Sequence, residues 1–149
     1  MKLSELVDRE SVLVPLGARN ATQAIASLVD ALPVPARARD LLRKRMLERE
    51  AAGSTGIGCG VALPHALCPG LAEPVVAVGR AATPLDFKSP DGAPVTLAFA
   101  VATPERDPSC HLYPLASLSL LPMDGNLLER LNRASTPEAL YAALARINI

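Results

Sequence analysis

A lone histidine closes a glycine-rich segment near the middle of the chain. The segment from Arg49 to His65 reads REAAGSTGIGCGVALPH. Neutral imidazole is a nucleophile near physiological pH, and a hydrogen bond to one ring nitrogen fixes the tautomer in which the other nitrogen attacks. His65 is therefore a candidate acceptor for a small transferable group.

The residues between that arginine and that histidine predict an anion site. Glycine adopts positive φ angles without steric cost, so a glycine-rich turn can direct several backbone amides toward one point. Serine and threonine hydroxyls stand among these glycines and add further donors. The candidate members of a phosphate cradle are Ser54, Thr55, Gly56 and Gly58.

Arg49 supplies a positive charge next to the same turn. Its planar guanidinium matches phosphate oxygens two at a time. A helix predicted over 35–51 carries Ala38, Leu42 and Met46 on one stripe, and Arg49 falls on the same side of that helix. We expect Arg49 to point inward at the helix end, so that arginine, turn and histidine together favour phosphoryl transfer to His65.

Composition limits the remaining classes of function. The chain has 149 residues, 50% of them hydrophobic, no formal net charge and only two Tyr, two Phe and no Trp. These values fit one domain with a substantial core and argue against a nucleic-acid binder. Acidic residues near the N-terminus and the short apolar runs predict neither a secretory signal nor a membrane span. With an odd number of cysteines, three, we expect a cytoplasmic protein with reduced thiols.

The periodicity of the apolar residues predicts an α/β fold. We expect a single domain over 1–149 with a mixed central β-sheet flanked by helices on both sides. The predicted strands cover 12–16, 61–63, 75–81 and 95–103, and the predicted helices cover 20–32, 35–51, 112–121, 127–131 and 137–147. Asn20 is predicted to cap the first of these helices, and Ser135 with Glu138 and Pro137 to mark the start of the last.

The second histidine, His111, stands at the predicted start of the helix over 112–121. A helix N-terminus presents unpaired amides and the positive end of the dipole, which favour an anion and disfavour imidazolium. A neutral His111 there is suited to donate a hydrogen bond to a group carried on His65.

Three segments of the chain resemble a known family. They are REAAGSTGIGCGVALPHA from Arg49, PVVAVGRAATPLDFKSPDGAPVTLAFAVATPE from Pro74 and HLYPLASLSLL from His111. Together they are similar to the enzyme IIA components of the phosphoenolpyruvate-dependent phosphotransferase system, in the fructose and mannitol class that includes the nitrogen-regulatory type. The resemblance covers essentially the whole chain.

The resemblance implies roles for single residues. His65 would accept phosphate through Nε2 from a histidine-containing phosphocarrier protein, and would pass it to a IIB component or hold it as a regulatory signal. His111 would hydrogen-bond the phosphoryl group, and Arg49 would neutralise or orient it. No metal, nucleotide or other cofactor is implied. Leu67, Cys68 and the segment 122–125 depart from the pattern of many relatives and bear on the choice of partner.

A rival interpretation rests on the cysteines and histidines. They fall in two short stretches, with Cys59, His65 and Cys68 in the first and Cys110 and His111 in the second. A non-catalytic metal-binding or protein-binding module is the alternative, although the spacing is irregular and lacks a CxxC motif. Apolar residues near the histidine, Ile57, Val61 and Leu63, are candidates for either a docking rim or ordinary core packing.

Overall fold

The computed structural model describes the backbone of all 149 residues and the side chains of all but residues 110–112. Six strands and five α-helices are joined by short turns. The strands are β1 (Val12–Leu16), β2 (Gly56–Gly58), β3 (Val61–Ala62), β4 (His65–Cys68), β5 (Val75–Leu85) and β6 (Val95–Pro104). The helices are α1 (Ala21–Asp30), α2 (Ala36–Ala52), α3 (Leu112–Leu118), α4 (Gly125–Arg133) and α5 (Pro137–Leu144). Short 3-10 turns cover Leu3–Leu6, Arg9–Ser11, Pro108–His111 and Leu121–Met123.

Strand β6 lies at the middle of one mixed sheet. On one side it pairs antiparallel with β5, which in turn pairs parallel with β1. On its other side it pairs parallel with both β3 and β4, and β2 pairs antiparallel with β3. The sheet thus has the order β1-β5-β6-β3-β2, with β4 also on β6.

Strands β3 and β4 both pair with β6, and the pairing is interrupted between them. Ala62 is in register with Ala98, and pairing resumes with His65 opposite Val101. The interruption contains Pro64, which has no amide hydrogen for a sheet ladder. Its carbonyl still accepts a hydrogen bond from the Val101 amide at 2.9 Å. The break therefore leaves the histidine at the first position of a new strand.

Both faces of the sheet are covered, because the apolar side chains of the strands alternate between two clusters. The first cluster packs α1 and α2 against alanines of β6, with Leu42 and Met46 fully buried. The second packs α3, α4 and α5 against the opposite face around Phe99. This arrangement confirms the predicted α/β fold with helices on both sides of a mixed sheet.

Two of the predicted helix-start signals are correct and one is displaced. The Asn20 side chain accepts a hydrogen bond from the Gln23 amide at 2.8 Å and caps α1. Pro137 is the first residue of α5. The predicted cap at Ser135 is wrong by one position: Thr136 has the extended backbone that a cap needs, and its hydroxyl accepts from the Ala139 amide at 3.1 Å.

Two strands were absent from the sequence prediction, and three helices end before their predicted last residue: α1 at Asp30, α3 at Leu118 and α5 at Leu144. Strand β2 lies in the predicted glycine-rich turn, and β4 lies in a segment for which no element was predicted. The helix predicted over 112–121 ends at Leu118, three residues before the Leu121–Met123 turn that contains Pro122. Across the described part of the chain, no helix is both long and apolar enough to cross a bilayer.

Candidate functional site

His65 is the first residue of β4, and its side chain is half-buried. Its Nδ1 lies 2.8 Å from the carbonyl oxygen of Leu63, two residues earlier. A carbonyl oxygen only accepts hydrogen bonds, so this contact assigns the hydrogen to Nδ1. The nucleophilic lone pair of the neutral ring then lies on Nε2, the atom that the sequence resemblance implies.

The alternation of β4 directs His65 toward α3. Ala66 packs against the cluster under α1 and α2, and Cys68 belongs to that cluster. Neighbouring strand residues point to opposite faces, so His65 faces the other side of the sheet. Its register partner Val101 belongs to the cluster on that side, where α3 packs.

The segment that carries the second histidine lies on the same side. The 3-10 turn Pro108–His111 contacts β6 and leads directly into α3. Leu115 and Leu118 of α3 pack into the cluster on this face of the sheet. The His111 side chain is outside the described residues, so its hydrogen bond to the phosphoryl group stays a prediction.

Arg49 does not point inward, which corrects the orientation predicted from the helical stripe. Its side chain is exposed, and Nη1 donates to the Gly53 carbonyl at 2.7 Å. The buried stripe of α2 ends at Met46, because the helix has no core beside its last turn. The guanidinium instead stabilises the C-terminal end of the helix, where a positive charge is favourable. It does remain at the entrance to the glycine-rich loop.

Three of the predicted cradle residues already donate their hydrogen bonds to other groups of the protein. The Thr55 amide donates to both carboxylate oxygens of Glu50 at 3.2 Å, and the Thr55 hydroxyl donates to Glu50 Oε2. The Ser54 hydroxyl donates to the Phe87 carbonyl and accepts from the Gly56 amide at 3.0 Å. Ser54, Thr55 and Gly56 therefore brace the loop and do not form an open cradle.

Gly58, the last member of the predicted cradle, belongs to a tight turn. Gly58, Cys59 and Gly60 have φ angles of 95°, 54° and 79° and join β2 to β3. The Cys59 amide donates to the Asp91 carboxylate at 2.9 Å. That hydrogen bond first, and a second from the Ala93 amide, lower the pKa of Asp91 below its ordinary value.

Glu50 is the residue that the sequence analysis missed. A charged residue in the last turn of a helix is usually a solvated side chain, so nothing singled it out. One available signal was its position, since an acid at a helix C-terminus opposes the dipole unless a donor compensates it. The Thr55 hydroxyl and amide are those donors.

The cysteines do not assemble a metal site within the described part of the structure. Cys59 is exposed on its turn and Cys68 is buried among apolar residues. Burial raises the pKa of the Cys68 thiol. The described side chains include no group of three His, Cys, Asp or Glu residues that could hold a metal ion. Cys110 and His111, which the rival interpretation also requires, lie outside the described side chains.

Of the two alternatives for Ile57, Val61 and Leu63, the structure supports core packing. Val61 and Leu63 are 0% and 5% exposed, so both are core residues, and Ile57 packs against the same cluster. Large exposed apolar side chains stand instead on α3 and the turn after it: Tyr113, Leu120 and Met123 are 66%, 60% and 84% exposed.

Comparison with known proteins places this geometry in a family. Residues 5–147 match the family model for the phosphoenolpyruvate-dependent sugar phosphotransferase system, EIIA 2. The nitrogen regulatory protein of Bradyrhizobium diazoefficiens is 32% identical over 146 residues, covering 97% of this chain and 95% of its own. The nitrogen regulatory protein of Pseudomonas aeruginosa is 37% identical over 134 residues, covering 89% and 86%.

A solved structure agrees along nearly the whole chain. The nitrogen regulatory protein IIA-Ntr of Neisseria meningitidis superposes with a TM-score of 0.84 and 26% identity, covering 95% of this chain and 98% of that one. The mannitol IIA of Escherichia coli, at 19% identity and a TM-score of 0.74, shares the fold. The chain therefore belongs to the EIIA type 2 family of the phosphoenolpyruvate-dependent sugar phosphotransferase system and is a phosphoryl carrier of that system.

Proposed function

We propose that His65 is the phosphoryl acceptor and that Nε2 attacks the phosphorus. The observation that carries this proposal is the 2.8 Å contact between Nδ1 and the Leu63 carbonyl. The lone pair of Nε2 forms the new P–N bond while the P–N bond to the donor histidine breaks, and the donor imidazole leaves with that electron pair. The Leu63 carbonyl continues to accept the Nδ1 hydrogen and stabilises the positive charge that develops on the ring.

Such a transfer needs in-line placement and charge stabilisation more than it needs covalent chemistry. We propose that Arg49 and His111 supply part of that stabilisation. The described hydrogen bond of Arg49 uses Nη1 on Gly53, and its guanidinium carries further donors. The turn that carries His111 lies on the face to which His65 points.

The donor in this proposal is a histidine-containing phosphocarrier protein. A protein partner fits the exposed apolar side chains on α3 and the following turn, the elements on the same face as His65. Met123 lies in the 122–125 segment that departs from many relatives, so this surface supports a link between that segment and partner choice. A cytoplasmic location stays a prediction.

Downstream, we propose a regulatory role of the nitrogen-regulatory type. The nitrogen regulatory proteins of Bradyrhizobium diazoefficiens and Pseudomonas aeruginosa match along 95% and 86% of their own length. By contrast, the chain covers 22% of the fructose-specific EIIABC component of Bacillus subtilis, at 31% identity. Transfer to a IIB component is the second candidate, because that relative is named for fructose transport.

NMR of the phosphorylated protein with ¹⁵N-labelled histidine tests the assignment of the atom. We expect phosphorus–nitrogen coupling at Nε2 of His65. Coupling at Nδ1 would contradict the proposal, because Nδ1 faces the Leu63 carbonyl. Incubation of the phosphorylated protein with a fructose-type IIB domain tests the downstream role: retained phosphate supports regulation, and rapid transfer supports transport.

A further inference from the structure

We propose that Glu50 is a positioning residue for His65. In this inference, which rests on the proposed acceptor role of His65, the Glu50 carboxylate holds the glycine-rich loop and the loop in turn orients the imidazole ring. Glu50 itself does not touch the phosphoryl group.

A continuous series of hydrogen bonds joins the two residues. Glu50 accepts from the Thr55 amide at 3.2 Å and from the Thr55 hydroxyl. The Thr55 carbonyl accepts from the Leu63 amide at 3.0 Å. The Leu63 carbonyl lies 2.8 Å from His65 Nδ1. Each residue in the series is thus held by the one before it.

Glu50 and Thr55 compensate each other. Glu50 lies in the last turn of α2, where the negative end of the helix dipole disfavours an acid. Thr55 is only 4% exposed, so water does not readily replace the carboxylate as the acceptor for its amide and hydroxyl. The Thr55 amide and hydroxyl compensate the charge of the Glu50 carboxylate, and the carboxylate in turn holds Thr55 in place.

The Leu63 peptide links the position of Thr55 to the orientation of the His65 ring. Its amide is held by Thr55 and its carbonyl by His65, so the direction of that carbonyl depends on where Thr55 stands. The carbonyl direction sets the ring plane and favours the tautomer with hydrogen on Nδ1. If Glu50 is lost, the ring becomes less well aligned for in-line attack but the acceptor atom remains.

The test compares Glu50→Ala with Glu48→Ala as the matched control. Glu48 is an exposed acid on the same helix and its carboxylate lies 3.9 Å from Lys44 Nζ. One measurement is the rate of transfer from the phosphorylated carrier protein. The other is the set of ¹⁵N shifts of the His65 ring in the unphosphorylated protein, which report the tautomer.

We expect Glu50→Ala to lower kcat by roughly 10- to 100-fold with little change in KM for the donor, as for a misplaced reacting group. The fraction of the Nδ1–H tautomer should fall. Glu48→Ala should match the wild type in both measurements. Glu50→Gln should restore part of the rate, because its amide oxygen can still accept hydrogen bonds from Thr55 although its NH2 group cannot.

Two results would overturn the inference: equal rates in Glu50→Ala and Glu48→Ala, or a slower Glu50→Ala with unchanged ring shifts. If Glu50→Ala does not fold, Thr55→Val decides, since it removes one donor to Glu50 and keeps the side-chain shape. If the wild type takes no phosphate on His65, the proposed function fails, while the ring shifts still test the positioning.

Discussion

Substitution of Gly56 by alanine should destabilise the protein, although Gly56 has no positive φ to protect. A Cβ built at this position would lie 2.1 Å from Ser89 Oγ, 2.9 Å from Ser89 Cβ and 3.1 Å from Ser89 Cα. Rotation of the hydroxyl relieves only the first of these contacts. The other two require movement of the backbone between β5 and β6, and this segment also holds the turn before β3 through Asp91.

The expected cost combines two terms. Overpacking of this kind costs about 1–3 kcal/mol, and replacing a strand glycine by alanine returns about 0.5–1 kcal/mol, so the net loss lies between about 0 and 2.5 kcal/mol, with a middle value of about 1 kcal/mol. For a chain of this length a loss of about 1 kcal/mol lowers Tm by roughly 2–4 °C. Urea unfolding followed by circular dichroism measures it.

The control is Gly125→Ala, because a Cβ at Gly125, the first residue of α4, meets nothing within 4 Å. We expect no loss of stability in that variant. A second test adds Ser89→Ala to Gly56→Ala and should recover only the part due to the hydroxyl. Equal stability of Gly56→Ala and Gly125→Ala would refute the steric argument.

Three further predictions concern the turn and the arginine. Asp91 has a lowered pKa, so its contribution to stability is present above the ordinary carboxylate pKa and is lost as pH falls through the pKa of the folded state. The unfolding free energies of Asp91→Ala and the wild type should therefore differ at neutral pH and converge in acid. A difference in unfolding free energy that does not depend on pH would contradict this. Cys59→Asn should raise the unfolding free energy by about 0.5 kcal/mol, because asparagine tolerates the left-handed backbone (φ 54°) better, and an unchanged value in denaturant titration would refute it. Arg49→Ala should slow phosphoryl transfer more than Arg43→Ala, since Arg43 pairs with Asp30 and Asp40 away from the loop, and equal transfer rates would remove Arg49 from the site.

Much of the fold follows from local sequence signals. The strand Val12–Leu16 and the α1 cap at Asn20 were predicted at their observed positions because apolar patterning and side-chain capping act over a few residues. Strand β4 was not predictable in this way. It is four residues long, and it forms because β6 offers a parallel edge at Val101, which lies far away in sequence.

Site features that depend on local sequence were also predictable, and those that depend on distant contacts were not. A histidine after a glycine-rich segment was visible in the sequence, and its tautomer follows from a contact only two residues away. The cradle was wrong at Ser54, Thr55 and Gly56, because glycine content shows what a backbone is able to do, not where its amides donate. The orientation of Arg49 was wrong because a helical stripe predicts burial only as far as the core extends.

The sheet brings the two histidine-bearing segments together. Strand β6 holds β4 and contacts the turn before α3, so one strand positions both the acceptor histidine and the segment of the second histidine. The glycine-rich loop then bridges α2 and the sheet. The proposed site therefore combines residues from α2, β4 and the turn before α3.

Intact-mass spectrometry at alkaline pH tests whether His65 is the phosphoryl acceptor. The protein is incubated with phosphoenolpyruvate, enzyme I and the histidine-containing phosphocarrier protein, with His65→Ala in parallel. The acceptor role predicts one acid-labile phosphate on the wild type and none on the folded variant. Phosphate retained on His65→Ala, or none on the wild type with donors confirmed active, would contradict the assignment of His65 as the acceptor.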